Sequence, residues 1–321
     1  MTGISVRAGG RAARDRPPHA PGPGAVPPAT LRALDLAVGA RVEDLWPGER
    51  RSPAVGVGTE LAQVRPYEVG DDVRHLEPSA TARMGEPHVR VHVAERTLTT
   101  WLALDASASM RFGTADRRKA DVAEGVALAI GHLATRRGNR LGVMSVGVPD
   151  ARVRPPRQGR SGLLAALAFA RAEPEPDGTP SVALGEGLRR LAGMARRPGL
   201  VVVVSDFRSR EADDWTQPLR RLAARHEILA VEVRDPREMD LPALGELALV
   251  APETGRHLRV DTSSRRLRER FAAAAARERD ELHVALRAAR VQPLTVTTEG
   301  EWLRPLATFL ARRPPVRRLR A

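Results

Sequence analysis

The chain has 321 residues and 42% hydrophobic content, enough for one large α/β domain with extensions or two smaller domains, and too apolar for an intrinsically disordered protein. Its formal net charge of +13 comes from 52 Lys and Arg against 39 Asp and Glu, and Lys119 is the only lysine among them. The absence of cysteine excludes disulfides, thiolate catalysis and cysteine-ligated zinc or iron–sulfur centres, and no run approaches the ~20 apolar residues of a membrane-spanning helix.

Residues 1–28 mix glycine, proline and arginine without a hydrophobic period, which predicts a disordered tail. Residues 29–97 are expected to form a lead-in and a β-rich segment. A short helix is predicted from about Ala29 to Val42, then a turn at Trp46-Pro47-Gly48 and a strand over His88-Val89-Arg90-Val91-His92-Val93. Valines at every second position of that run argue for a strand. This sets aside the reading of His88 and His92 as a helical zinc pair, and the His-Glu-x-x-His pattern is absent as well.

Residues 98–240 read as the core of an α/β domain. An apolar strand from Leu98 runs into Asp105-Ala106-Ser107-Ala108-Ser109, and a helix follows over 116–136, with Val122, Val126, Ile130 and Leu133 at helical spacing. A strand at 141–148 and a helix from Ser161 to Ala172 come next. Asp177-Gly178-Thr179-Pro180 then opens a helix reaching about Ala195. Leu200 to Val204 is a continuous apolar run ending in Ser205-Asp206, the pattern of a central strand buried on both faces. A helix near 213–225 and a strand at 227–233 complete this part. Residues 241–262 are expected to be an irregular insertion with a hairpin near Glu253-Thr254-Gly255. Residues 263–312 complete the domain with a long charged helix (263–290), a strand (Leu294 to Thr298) and a last helix (Trp302 to Leu310), and 313–321 form a basic tail. Strands alternating with helices predict a mostly parallel sheet covered on both faces.

The chemistry is expected at the strand ends. In open α/β sheets, ligands bind outside the carboxyl ends of the strands, and a strand ending in Asp-x-Ser-x-Ser presents three short oxygen-bearing side chains there. Such oxygens suit a hard cation. Taken singly, Thr179-Pro180 is also a helix N-cap with a first-turn proline, and Asp206 could cap the segment after its strand.

Together, Asp105, Ser107, Ser109, Thr179 and Asp206 resemble the metal-ion-dependent adhesion site of von Willebrand factor A domains in identity and order. A resemblance over about residues 55–310 is to the bacterial proteins of the domain of unknown function 58 (DUF58) family, which carry such an A-type domain. It rests on Arg65-Pro66-Tyr67-Glu68-Val69-Gly70-Asp71-Asp72-Val73-Arg74, Ala82-Arg83 and Glu95-Arg96. That family pattern normally continues with an acidic residue and a tryptophan, where this chain has Glu77-Pro78. The resemblance implies a Rossmann-like A-type fold and a site binding Mg2+, with Mn2+ as the alternative ion. It also implies a non-catalytic role in protein recognition, with a partner carboxylate completing the metal site and a MoxR-type AAA+ ATPase or its client as partner. Within the Tyr67 to Arg74 segment, Gly70 permits a positive φ and Asp71 and Asp72 suit a turn, so a structural role is favoured; Tyr67, Asp71, Asp72 and Arg74 are the alternative partner contact. Removing Asp206 would free Asp105 of a like charge, so little loss of stability is expected from it.

Two other classes compete. A metal-dependent hydrolase of the haloacid-dehalogenase type needs a second Asp two residues after the first as general acid, and Ser107 stands there. Lys119 precedes Ala120, which breaks the Walker A pattern, and Gly159-Arg160-Ser161-Gly162 falls short of a Gly-x-Ser-x-Gly elbow. Polyanion or nucleic-acid binding fits the arginine surface, but only 3% aromatic content and scattered arginines argue against it. With no apolar run near the N-terminus to act as a signal peptide, a cytoplasmic location is expected.

Overall fold

A computed structural model of the chain describes residues 5–7, 23–24, 55–93, 98–135, 139–171, 176, 182–208, 215–252 and 254–312. The helix expected from Ala29 to Val42, the turn at Trp46, the Glu95-Arg96 pair, Thr179 and the tail at 313–321 lie outside the described residues, as does most of 1–28. The chain divides into two units, one of Met1–Gly39 with Thr99–Arg313 and one of Ala40–Leu98 with Pro314–Ala321.

Along the chain, β1 (Ser5–Arg7), β2 (Val55–Pro66), helix α1 (Pro78–Met84) and β3 (His88–Val93) are followed by β4 (Thr99–Asp105) and α2 (Lys119–Ala134). Then come β5 (Arg140–Val146), β6 (Val153–Gln158), α3 (Gly159–Ala170), α4 (Leu184–Met194) and β7 (Leu200–Ser205). The chain continues with α5 (Thr216–Ala223), β8 (Glu227–Arg234), β9 (Glu246–Ala251), β10 (Arg256–Asp261), α6 (Arg265–Ala288), β11 (Pro293–Thr297) and α7 (Leu303–Arg312). Among the described residues no helix is long and apolar enough to cross a membrane.

In the smaller unit, β2 and β3 pair antiparallel, with Pro66 opposite His88 and Leu61 opposite His92. The strand expected over His88 to Val93 is therefore present with the bounds the valine alternation predicted. Helix α1 begins at Glu77, whose side chain accepts from the Ser79 amide and pairs with Arg90. Pro78, standing where the resembled family has tryptophan, occupies the first turn, where its missing N–H removes no helical hydrogen bond.

The larger unit is built on a six-stranded sheet of order β11-β8-β7-β4-β5-β6, parallel except for β6. This is the expected mostly parallel α/β fold. Every residue of β7 is buried, as its four consecutive valines require of a strand covered on both faces. On one face, Trp101, Ala103, Val201 and Val203 pack with Leu188 and Leu191 of α4, Leu219 and Leu222 of α5 and Leu286 of α6. The alternate residues Leu102, Leu104, Val202 and Val204 are equally buried and point to the other face, where α2 crosses β4, β5, β7, β8 and β11. Strand β6 was not expected from sequence, because Val-Arg-Pro-Pro-Arg-Gln has no apolar alternation. It is an edge strand, the one place where two prolines are tolerated in a sheet.

Residues 241–262 are regular rather than an irregular insertion, and the hairpin expected near Glu253-Thr254-Gly255 is present. Strands β9 and β10 form a hairpin, and β1 pairs on the other side of β9, with Val6 opposite Leu249. Leu241, Leu247, Leu249 and Phe112 form a separate buried cluster, against which Phe271 of α6 packs. The tail expected to be disordered thus contributes a strand. It also supplies the Pro23 carbonyl, which accepts from the Trp302 indole at 3.0 Å.

The sheet order also locates the site. From β4 the chain moves outward to β5 and β6, then returns to the other side of β4 to add β7, β8 and β11 in turn. The order therefore reverses between β4 and β7, and the crevice at their carboxyl ends is the switch point where α/β sheets bind ligands. Asp105 ends β4 and Asp206 immediately follows β7.

Candidate functional site

Asp105 is positioned by both strands. The Ser107 amide donates to its Oδ1 at 2.9 Å, closing a tight turn after β4, and the Ser205 hydroxyl at the end of β7 donates to its Oδ2 at 2.5 Å. The chain then enters a 3-10 turn over Ala108–Arg111, which brings the buried Ser107 and Ser109 hydroxyl oxygens to 3.1 Å from each other. Gly147, just beyond β5, has φ +77, and a Cβ there would lie 2.5 Å from Asp105 Oδ1 and 3.2 Å from Ser107 Cβ. A side chain at 147 would occupy the space against which the carboxylate rests.

Asp206 is turned into the same region by its neighbour. Phe207 has φ 53, a left-handed conformation that costs a non-glycine residue roughly 1–2 kcal/mol. Its ring is buried and meets Trp215 edge-on at 5.7 Å, and its amide donates to Ser205 Oγ at 2.9 Å, so packing and hydrogen bonding hold the turn. Asp206 Oδ1 accepts from the Arg208 amide at 3.1 Å, and Oδ2 accepts from Lys119 Nζ at 2.6 Å.

Lys119 is the residue that sequence reasoning missed. It is fully buried, and its ammonium donates also to Glu238 Oε1 at 2.8 Å, an oxygen shared with the Arg208 guanidinium at 2.9 Å. Glu238 in turn accepts from the Asp235 amide at 3.0 Å. The Asp235 carboxylate accepts from the Thr114 amide at 2.7 Å, the Thr298 hydroxyl at 2.7 Å and the Arg237 amide at 2.9 Å. One buried network therefore links the loops after β4, β7, β8 and β11. A cavity of about 270 Å³ beside it is lined by Asp206, Arg208, Trp215, Glu232, Arg234 and Glu278, among others.

The two aspartates are shifted in opposite directions. Burial, followed by the negative charge of Asp206, pushes Asp105 up to about 6, and the hydrogen bonds from Ser107 and Ser205 only partly offset this. Burial also acts upward on Asp206, but the adjacent Lys119 ammonium outweighs it and holds Asp206 below the usual carboxylate range. Burial disfavours the charged form of Lys119, yet Asp206 and Glu238 together raise its pKa above the ordinary value.

Four of the five expected ligand positions, Asp105, Ser107, Ser109 and Asp206, thus come to one switch-point crevice. Thr179 lies outside the described residues. Among the described residues there is no group of three or more His, Cys, Asp and Glu able to hold a metal. The crevice instead brings two carboxylates together with hydroxyls.

The Tyr67 to Arg74 segment belongs to the smaller unit. Arg65 grips both Asp71 oxygens, at 2.8 and 2.7 Å, and Asp71 also accepts from the Glu68 amide at 2.9 Å. Asp72 caps the 3-10 turn through the Arg74 amide at 3.0 Å, Tyr67 donates its amide to the Pro87 carbonyl at 2.8 Å, and Gly70 has φ +112. These contacts give Asp71 and Asp72 structural roles. They also present Val69 at the tip, fully exposed.

Among solved structures, the chain is similar to the conserved hypothetical protein BatB from Bacteroides thetaiotaomicron, with 14% identity, a TM-score of 0.41 and coverage of 67% of this chain and 96% of that one. It is similar also to the SpRpn10 VWA domain, with 13% identity, a TM-score of 0.36 and coverage of 70% and 100%. Among curated proteins, the uncharacterized proteins Rv1480 of Mycobacterium tuberculosis and Mb1516 of Mycobacterium bovis are each 38% identical over 288 residues, 89% of either chain. The family model described as "Protein of unknown function DUF58" matches residues 63–281, which include β4, β7, Asp105, Lys119, Asp206 and Glu238, and the chain belongs to the DUF58 family.

Proposed function

We propose that this chain is a non-catalytic protein-recognition module whose contact point is a divalent cation, Mg2+ or Mn2+, at the β4–β7 switch point. Asp105, Ser107 and Ser109 would hold the ion, with Thr179 and Asp206 as further ligands, directly or through water. The observation that carries this reading is the convergence of the buried Ser107 and Ser109 hydroxyls beside the Asp105 carboxylate at the end of β4. Short oxygen donors suit a hard cation, and positive charge at this point would favour the ionised form of Asp105. Gly147 leaves free the space beside Asp105 that a Cβ would fill.

A bound divalent cation would supply positive charge to attract a carboxylate from a protein partner. The chain's own part is to hold the ligands in place and exclude competing donors. Ser107 occupies the position at which a phosphatase of this strand-end type needs its acid, which supports recognition over hydrolysis. The partner we infer, from the family resemblance, is a MoxR-type AAA+ ATPase or its client.

The test is a pull-down from cell extract with the tagged full chain in Mg2+, followed by chelator elution. Release of an AAA+ ATPase by the chelator, and its loss with Ser109→Ala, is the expected outcome. Retention of the same partner in chelator and by Ser109→Ala would show recognition that does not use the ion.

A further inference from the structure

The sole lysine of the chain stands beside this site. Lys119 is fully buried between Asp206 Oδ2 at 2.6 Å and Glu238 Oε1 at 2.8 Å, with the Phe112 ring centroid 5.9 Å from its ammonium. Every other basic residue among the 52 is arginine. The geometry gives a physical reason for the exception. An ammonium is a compact point charge that can sit between two single oxygens, whereas a planar guanidinium needs a wider, fork-shaped setting. Arg208 takes that other setting, reaching Glu238 from the more open side with its second nitrogen at 3.4 Å from Glu278.

We infer that Lys119 is the resident counter-ion of the switch-point site: it holds Asp206 when no divalent cation is bound and competes with that cation for the carboxylate. The inference rests on the metal reading proposed above and adds the element that sets its affinity. Setting aside Glu278, whose half-exposed carboxylate at the outer end of Arg208 is screened by solvent, three carboxylates (Asp105, Asp206 and Glu238) face two cations (Lys119 and Arg208). The cluster is therefore within one charge of balance before any ion arrives. A divalent ion entering beside Asp105 overshoots that balance and meets an ammonium already bonded to the carboxylate it needs. Without Lys119, the same carboxylates would carry a deficit that a divalent ion matches.

Because Lys119 also grips Glu238, the competition extends beyond the ion site. Glu238 accepts from the Asp235 amide and lines the cavity that also holds Asp206 and Arg208. Drawing Asp206 away from Lys119 leaves the ammonium to Glu238 alone and loosens the tie between the loop after β7 and the loop after β8. Occupancy of the ion site and the arrangement of that cavity wall are thereby coupled.

Two full-length variants with opposite expected signs test this, with Mg2+ and Mn2+ titrated by calorimetry and thermal unfolding followed in chelator and in excess Mg2+. Lys119→Met removes the competitor, so affinity for the ion should rise by about tenfold or more, as expected for deleting a nearby unit charge in a partly buried site. Its midpoint should fall in chelator and recover in Mg2+ by more than the wild-type protein gains. Glu238→Gln keeps an oxygen acceptor for Lys119 but removes its negative charge, so the ammonium is held more by Asp206 and affinity should fall about tenfold. A purely structural Lys119 would not produce a gain in affinity. If wild type and both variants bind the ion equally, or if Lys119→Met fails to fold and Glu238→Gln binds like wild type, the competition is refuted while the metal site stands. If neither wild type nor any folded variant binds Mg2+ or Mn2+, the metal reading itself fails.

Discussion

Replacing Asp105 by asparagine should change stability with a sign that depends on pH. Burial and the Asp206 charge raise Asp105 from 3.8 to about 6, so the folded protein retains a proton that the unfolded chain releases between about pH 4 and pH 6. Raising the pH through that window therefore destabilises the fold. The gap corresponds to about 3 kcal/mol, complete above pH 6 and absent below pH 4. An asparagine side chain does not ionise, and so escapes the loss. It would, however, keep only one oxygen for the two hydrogen bonds now made by the Ser107 amide and the Ser205 hydroxyl, a cost of about 1–2 kcal/mol. In chelator, Asp105→Asn should then be less stable than wild type near pH 4 and more stable by about 1–2 kcal/mol near pH 7.5. Urea unfolding of both proteins across this range reads the difference directly, since titrations common to both cancel. Two stability curves that stay parallel between pH 4 and pH 7.5 would refute the raised Asp105. With Mg2+ at 100 times its dissociation constant, wild type alone should gain about 2.7 kcal/mol and reverse the order at neutral pH.

Gly147→Ala should cost about 1–2 kcal/mol for its left-handed backbone and abolish Mg2+ binding by displacing Asp105, with the far-UV spectrum unchanged; unchanged calorimetric affinity would show that the carboxylate can shift. Asp206→Ala should lower stability in chelator by about 3 kcal/mol, because it strips a buried ammonium of one of its two carboxylates. Urea unfolding that finds the variant as stable as wild type would restore the sequence-based expectation that relief of repulsion dominates. Deletion of residues 1–28 should lower the unfolding midpoint, since it removes the β1 ladder on β9 and the Trp302–Pro23 hydrogen bond, the latter alone worth about 1 kcal/mol. An unaltered midpoint by calorimetry would show that these contacts contribute nothing net.

What could be read from the sequence follows from how locally each feature is encoded. The four valines of β7 and the helical spacing of Val122, Val126 and Ile130 state their own burial, so the central strands and α2 were legible, as was the turn that carries Asp105, Ser107 and Ser109. The β9–β10 hairpin was legible at its turn, but strand β6 and the pairing of β1 on β9 were not, because edge strands need little apolar alternation and β1 is specified by a partner more than 200 residues away in the chain. The charge state of the site belongs to the same class. Lys119 is 87 residues from Asp206 and 119 from Glu238, and nothing in its neighbours distinguishes it from a solvated helix-start cation. The one local signal was compositional: a single lysine in a chain that otherwise uses arginine throughout.

That signal changes how the charges of the site are apportioned. Reading Asp105 and Asp206 as an isolated pair of like charges makes a divalent ion the natural counter-charge and makes each aspartate expendable to the fold. The geometry separates them. Asp206 is already neutralised by a buried ammonium and is therefore structural, whereas Asp105 has hydroxyl and amide donors but, among the described residues, no cation of its own. Affinity for the proposed cation would then reside mainly in Asp105 and its two serines. Asp206 would contribute to the extent that Lys119 released it, and Glu238, which already holds the same ammonium, would set how readily that happens.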